Sequence, residues 1–545
     1  MSSTERQLLS GDSAIALGAR HGGVALGTGY PGTPSTEILE YFSHLGGKAQ
    51  WSPNEKVALE VGIGVAFAGG RSLVTMKHVG VNVAADPLFS AAHTGVVGAL
   101  VVVSADDPGM ASSQNEQDNR RYAVAAAVPM LEPADSQEAY EFTLAAIEYS
   151  ERWKIPVLLR VTTRVCHTQA PVCPRGTVLP APVPHFEHDL RGRNLIPANA
   201  RPAHRRLRQK LSEMADWSEV TPLNQLIPGG KKLGIITSGV ACLHAREAAP
   251  EASFLKLGFT HPLPLKKIAA FVRSVGRCVV IEEGDPYLAD AIRAAGLTVE
   301  SKPEMFRFGE LNVDRVRRIL AHDLSPEPAR PPGKPPELCE GCSHHVVFQA
   351  LKNLDCIVAD DIGCYALGVL PPYTAMDCCV CMGSSIGIGL GLRHTLPPAE
   401  AKRVVSVIGD STFVHSGMTG LAEMIYNPPA TGHVVVILDN STTAMTGHQE
   451  HPGTGRTLDH AATGKVIYED LGRALGIEKV HVLPLGKECE EFQQMLKESL
   501  ASEKLVLIVA RRPCVLAAKN IREYDKLAGQ GKCGQCASTH EGSTQ

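Results

Sequence analysis

A multidomain α/β protein built on mainly parallel sheets is what this sequence predicts, and three observations carry the prediction. The chain has 545 residues, more than one hydrophobic core organises. Short runs rich in Val, Ile and Leu alternate with helical stretches along its whole length, the pattern of strand–helix–strand crossovers. Two stretches dense in Pro, one of them also in Arg, interrupt that alternation and mark boundaries.

Taken in order, "LVTMKHVG" (73–80), "ALVVVSA" (99–105) and "IPVLLRVTT" (155–163) are expected as buried strands of a first domain, residues 1–185. Residues 186–231, with "IPANARPAHRRLRQKL", are expected as a linker carrying some helix. A smaller α/β domain is expected over 232–323, from "KLGIITSGVA" through "CVVIEEG". "LSPEPARPPGKPPEL" (324–338) reads as a stiff, extended second linker. A last α/β domain, 339–520, carries the strands "RVVSVIGD", "HVVVILDN" and "KLVLIVA", and 521–545 form a tail. No internal repeat of 20–50 residues is visible.

Apolar residues at 44% and charged ones at 20% are ordinary for a globular protein. A net charge of −4 and the lack of a long basic run give no reason to expect nucleic acid. The N-terminal residues lack the apolar core of a signal peptide, and the apolar runs are too short to span a bilayer, so a cytoplasmic protein is expected. Fifteen cysteines in a reducing compartment then read as metal ligands or core thiols rather than disulfides.

Two dipeptides carry chemistry. Gly409-Asp410-Ser411 closes one strand, and Asp439-Asn440 closes the next, with Asn440 thirty positions after Asp410. Ligands bind at the carboxyl ends of neighbouring parallel strands. Asp410, Asn440 and the carbonyl of Thr442 are therefore candidates to hold one Mg²⁺, with Gly409 letting backbone N–H groups approach a diphosphate. Each dipeptide alone reads as a plain turn; the pairing at this spacing favours the cation. Cys339 and Cys342 in "LCEGCSHHVV" form a Cys-x-x-Cys that fits zinc, a redox pair or two buried thiols.

Gly-Asp followed by Asn after about thirty residues resembles the thiamine diphosphate signature. "GDSTFVHSG" and "LDNSTTAMTGHQ" resemble the 2-oxoacid:ferredoxin oxidoreductases in particular. "TMKHVGVNVAADP" and "DDPGMASSQNEQDNRR" are similar to the alpha subunit of the indolepyruvate:ferredoxin oxidoreductases, and the resemblance covers nearly the whole chain to about residue 520. It implies a thiamine-binding fold with a pyrimidine domain, a diphosphate domain and a transketolase C-terminal-like domain.

The resemblance also implies roles. Glu55 of "NEKVALEVGIGVAFAGG" is implied as the acid that hydrogen-bonds the aminopyrimidine, whereas Glu60 reads as a solvated helical residue. Thr33 of "GYPGTPSTE" and Arg120 are implied to orient the substrate carboxylate, and His78, Gly383, Ser384 and Ser411 to line the cofactor. His344 and His345 are candidates for proton or phosphate contacts. Cys339, Cys342, Cys364 and Cys514 match the order of ligands for one [4Fe–4S] cluster; zinc fits four thiolates equally well, and the electron acceptor that the thiamine chemistry needs favours iron. "CCVC" (378–381) is expected to pack on the glycine-rich helix that follows.

The implied activity is oxidative decarboxylation of a 2-oxoacid, an arylpyruvate such as indolepyruvate, to an acyl-CoA with coenzyme A as cosubstrate. A non-oxidative decarboxylase or carboligase and a degenerate scaffold subunit are the rival readings. The family's alpha subunit usually continues into a ferredoxin-like domain. Here "GKCGQCASTHEGSTQ" offers only Cys533 and Cys536, so electrons are expected to pass to ferredoxin or another separate carrier. A gamma- or beta-type partner subunit and an oligomer are expected, with no membrane partner.

Overall fold

The computed structural model describes residues 6–175, 178–328, 336–486 and 489–531, so Cys533 and Cys536 lie outside the described residues. The chain forms two compact units, 1–329 and 330–545.

The first unit is built on a seven-stranded sheet in the order Phe259–His261, Met130–Leu131, Val157–Thr162, Ala99–Asp106, Arg71–Lys77, Leu26–Gly29, Ala49–Trp51. Every neighbouring pair is parallel except the first. Ala99–Asp106 is buried at every position, as a strand covered by helices on both faces must be. The expected strand at 73–80 ends earlier: at His78 the chain turns into the helix His78–Val83. A two-stranded antiparallel pair joins Gln7–Ser10 to Gln169–Val172.

A five-stranded sheet follows, in the order Glu300–Ser301, Arg277–Ile281, Gly230–Ser238, Ala252–Leu257, Asn224–Ile227. It begins at Asn224, inside the stretch expected as linker. That stretch is not a free connection. Pro197–Ser218 is one helix of 22 residues whose Ala203, Leu207, Met214 and Ser218 are buried, a stripe at helical spacing hidden among arginines. Trp217 at its end packs 6.0 Å from the Tyr149 ring and 6.3 Å from that of Trp153. Phe259–His261 also leaves the small sheet to extend the large one, so the 232–323 segment is not self-contained.

The second unit holds a six-stranded, wholly parallel sheet in the order Cys378–Cys379, Ile357–Asp360, Val404–Gly409, His433–Asp439, Leu505–Arg511, Lys479–Pro484. Its central strands Val404–Gly409 and His433–Asp439 are buried throughout. Gly409 lies opposite Leu438 and Asp439 opposite Arg511, so three strand ends align at one edge. "CCVC" does not pack on the glycine-rich helix as expected: Cys378–Cys379 form an edge strand, and Cys379 and Cys381 are exposed. Among the described residues no helix is long and apolar enough to cross a membrane.

Candidate active site

In the second unit the aligned strand ends build a corner around Asp410. Its carboxylate is buried, with Oδ1 accepting from the Ser411 N–H at 2.9 Å and Oδ2 from the Ser441 N–H at 2.8 Å. Ser441 takes a left-handed φ of 62°, which turns the chain after Asp439 back toward Asp410. Asn440 Oδ1 accepts from the Thr442 N–H at 3.1 Å, and Ser411 accepts from the Thr443 hydroxyl at 2.8 Å. Burial, and then the neighbouring Asp410, raise the carboxyl of Asp439, against the pull of Arg511, whose Nε lies 2.6 Å from it. Among the described residues no Arg or Lys pairs with Asp410; only His451 Nε2, at 3.4 Å, stands against it. A buried carboxylate with free lone pairs and no Arg or Lys partner among the described residues suits a divalent cation, so the residues present fit a Mg²⁺–diphosphate group.

Gly383 and Ser384, expected to line the cofactor, are used differently. The carboxylate of Asp361 accepts from the N–H groups of Gly383 at 2.7 Å and Ser385 at 3.0 Å, and the Ser384 N–H donates to the Cys381 carbonyl at 3.1 Å. Asp361 thus caps helix Ser384–Thr395, and the N–H groups of Gly383, Ser384 and Ser385 are already taken by the protein. His344 is buried near Asp410, its imidazole pushed down to about 4 by burial and its Nδ1 without a partner. His345 has a structural place: Nδ1 lies 2.7 Å from the Tyr373 hydroxyl and Nε2 2.9 Å from the Cys339 carbonyl.

The four cysteines come together beside this corner. The Cys342 N–H bonds the Cys339 carbonyl at 3.0 Å, closing a turn in which Gly341 takes φ 73°. Burial, then the neighbouring thiols of Cys514, Cys342 and Cys339, push the Cys364 thiol up to about 11. Burial likewise raises Cys342, with Cys339 and Cys514 adding to the effect. The backbone N–H of Cys514 donates to the Asn440 carbonyl at 2.9 Å, which ties the thiol group directly to the Asp410 corner.

In the first unit Glu55 opens helix Glu55–Phe67, buried, where Asn54 caps the helix by accepting from the Val57 N–H. Its carboxylate packs on Gly80: a Cβ there would lie 2.6 Å from Oε1. Glu60 pairs with Lys56 on the half-exposed face, as expected of a solvated residue. His78 is fully buried, with Nε2 donating to the Asn115 carbonyl at 3.1 Å and Nδ1 without a partner. Thr33 is half-buried in a loop closed by the Gly32 N–H donating to the Thr36 hydroxyl at 2.9 Å.

Arg120 is a correction. Its guanidinium is wholly buried and donates to Asp118 at 2.8 Å, Glu282 at 2.7 Å and the carbonyls of Glu283 and Asp285 at 2.6 and 2.8 Å. Donors so committed to the protein do not orient a substrate carboxylate; Arg120 is a structural clamp.

Sequence reasoning missed Lys77, Asp360 and His451. Burial lowers the Lys77 amine to about 8 beside the Thr33 loop, where a Cβ on Gly32 would lie 3.1 Å from the Lys77 Cβ. Asp360 is buried with neither carboxylate oxygen partnered. No local pattern marks any of the three; each acquires meaning only from what surrounds it.

Residues 361–510 match the thiamine pyrophosphate enzyme C-terminal TPP binding domain, and residues 17–190 the thiamine diphosphate-binding domain of pyruvate flavodoxin/ferredoxin oxidoreductase. A 2-oxoglutarate:ferredoxin oxidoreductase from Magnetococcus marinus shares the fold, with TM-score 0.50 and 18% identity over 58% of this chain and 65% of that one. Fold and site together define a thiamine diphosphate-dependent 2-oxoacid:ferredoxin oxidoreductase. Indolepyruvate oxidoreductase subunit IorA of Archaeoglobus fulgidus is 38% identical over 96% of this chain and 88% of its own length. The same subunit of Methanothermobacter thermautotrophicus is 37% identical over 98% and 90%. The chain belongs to the indolepyruvate oxidoreductase IorA family.

Proposed function

We propose that this chain oxidatively decarboxylates an arylpyruvate such as indolepyruvate to its acyl-CoA, and passes the electrons through a [4Fe–4S] cluster to ferredoxin or a similar carrier. The observation that carries the reading is the 2.9 Å bond from the Cys514 N–H to the Asn440 carbonyl. It ties the segment bearing Cys514 to Asn440, which supports reading the thiol group as an electron acceptor next to a Mg²⁺–diphosphate site. The relatives' name and their designation as a subunit support the substrate class and a partner subunit.

Thiamine diphosphate supplies the electron sink for loss of CO₂, and an iron–sulfur cluster accepts single electrons. The chain's own residues do the rest. Asp410, Asn440 and the Thr442 carbonyl hold Mg²⁺, Glu55 hydrogen-bonds the aminopyrimidine, and Thr33 meets the substrate carboxylate. Cys339, Cys342, Cys364 and Cys514 ligate the cluster. Zinc, about 2.3 Å from each sulfur, would draw those sulfurs to within about 3.8 Å of one another. Among the described residues the only trio of His, Cys, Asp or Glu ligand atoms within 4.8 Å of one another is Asp12, Glu37 and His167, so no three of these sulfurs stand at the close spacing of a zinc site, which favours the cluster over zinc.

The test is the electron paramagnetic resonance spectrum of the anaerobically purified chain with its partner subunit, before and after indolepyruvate and coenzyme A. A cluster signal that appears on adding the 2-oxoacid is expected. A colourless protein that still releases CO₂ would overturn the oxidative reading.

A further inference from the structure

We propose that Asp12, Glu37 and His167 bind one zinc ion, at a site separate from the residues assigned above. The three belong to different elements. Asp12 lies in the first turn of helix Gly11–His21, Glu37 in the first turn of Thr36–His44, and His167 ends the short helix Thr163–His167. One ligand atom from each lies within 4.8 Å of the other two. Register brings them there: Ser10 pairs with Gln169 in the antiparallel strands, which sets the start of the first helix beside His167.

Asp12 is what separates this trio from an ordinary acidic surface cluster. Its side chain is 1% exposed, and neither carboxylate oxygen has a nitrogen or oxygen donor as a partner. The cap of its own helix is already supplied by Ser10, which accepts from the Ser13 N–H at 3.1 Å. The polar group lying against it is the thiol of Cys166, a weak donor. A buried carboxylate in that condition is costly unless a cation or a proton completes it. The other two groups, Glu37 and His167, are exposed and can close around an ion by side-chain rotation.

The donor set selects the metal. Two carboxylates with one imidazole suit zinc, whereas Mg²⁺ and Ca²⁺ take oxygen ligands. A water fills the fourth position on the exposed side. Glu37 directly follows Thr36, whose hydroxyl closes the Thr33 loop, so the ion ties that loop's anchor to the N-terminal strand pair.

The test compares the cluster- and thiamine-loaded wild type with Asp12→Asn and His167→Gln, each given excess Zn²⁺ and desalted before metal counting by mass spectrometry. The wild type is expected to retain one more zinc per chain than either variant, with iron and thiamine contents equal in all three and no displacement by excess Mg²⁺. Zinc is also expected to raise the unfolding temperature of the wild type and not of the variants. Equal zinc in wild type and His167→Gln overturns the site, and because His167 is exposed that variant keeps the comparison valid should Asp12→Asn fold poorly.

Discussion

Glu55 keeps its place because residue 80 has no side chain: any Cβ there would lie within 3 Å of three of its carboxylate-end atoms. Gly80→Ala is therefore expected to displace the Glu55 carboxylate by a fraction of an ångström to an ångström and to cost ~10²-fold in kcat, with the fold intact by circular dichroism. Glu55→Gln keeps the shape and removes the acid. Calorimetry should show thiamine diphosphate still binding while turnover falls by ~10²–10⁴-fold, and full activity in that variant would point to another acid. Asp410→Ala acts on the opposite function. Among the described residues no Arg or Lys pairs with Asp410, and the neighbouring Asp439 is held by Arg511, so the cation loses its one firm ligand and thiamine diphosphate affinity is expected to collapse.

Elements decide the thiol group. Cys339 and Cys342 sit in a turn ahead of helix His344–Asn353, Cys364 follows strand Ile357–Asp360, and Cys514 follows strand Leu505–Arg511. Replacing Cys514 with Ser should lower iron content and abolish electron transfer while thiamine binding persists, because its backbone N–H bond to Asn440 is untouched by the change. Unaltered iron in that variant would remove Cys514 from the ligand set. The buried network around Arg120 is also a matter of elements, since it joins helix Arg120–Ala126 to Glu282 after strand Arg277–Ile281. Arg120→Ala leaves the buried Glu282 without its guanidinium and Asp118 with only the more distant one of Arg160, at 3.9 Å, with an expected cost of ~3–5 kcal/mol in unfolding free energy. A substrate-binding role would instead raise KM with stability unchanged, so measuring both separates the two.

At the scale of the whole molecule, two buried histidines, His344 and His433, and the half-buried His261 set a pH dependence. Burial lowers His344 and His261 to about 4 and His433 to about 3, each from an unfolded value near 6.5. In that window the unfolded chain binds protons that the folded chain refuses. Their contribution is complete above about pH 6.5 and is lost as pH falls toward 4, by up to ~1.4 kcal/mol per pH unit for each histidine. Denaturant unfolding should give a clearly lower free energy at pH 5 than at pH 7, and a flat profile would contradict the burial of these rings as neutral imidazoles.

The sequence by itself determined the parallel α/β class, the strands that end at Gly409 and Asp439, and the position of Asp410 and Asn440 just beyond those strand ends. These are local facts: a buried strand is a contiguous run of apolar residues, and the groups at its carboxyl end follow it directly in the chain. Only the tertiary structure decided that Arg120 is a clamp, that Asp361 caps the glycine-rich helix, that the supposed linker is a packed amphipathic helix, and that Asp12 meets Glu37 and His167. In each case the deciding partner is remote in the chain or reached through a stripe diluted by arginines. An isolated buried charge or acid looks the same in sequence whether it binds substrate, protein or metal, because its role is set by which donors and acceptors the fold brings to it.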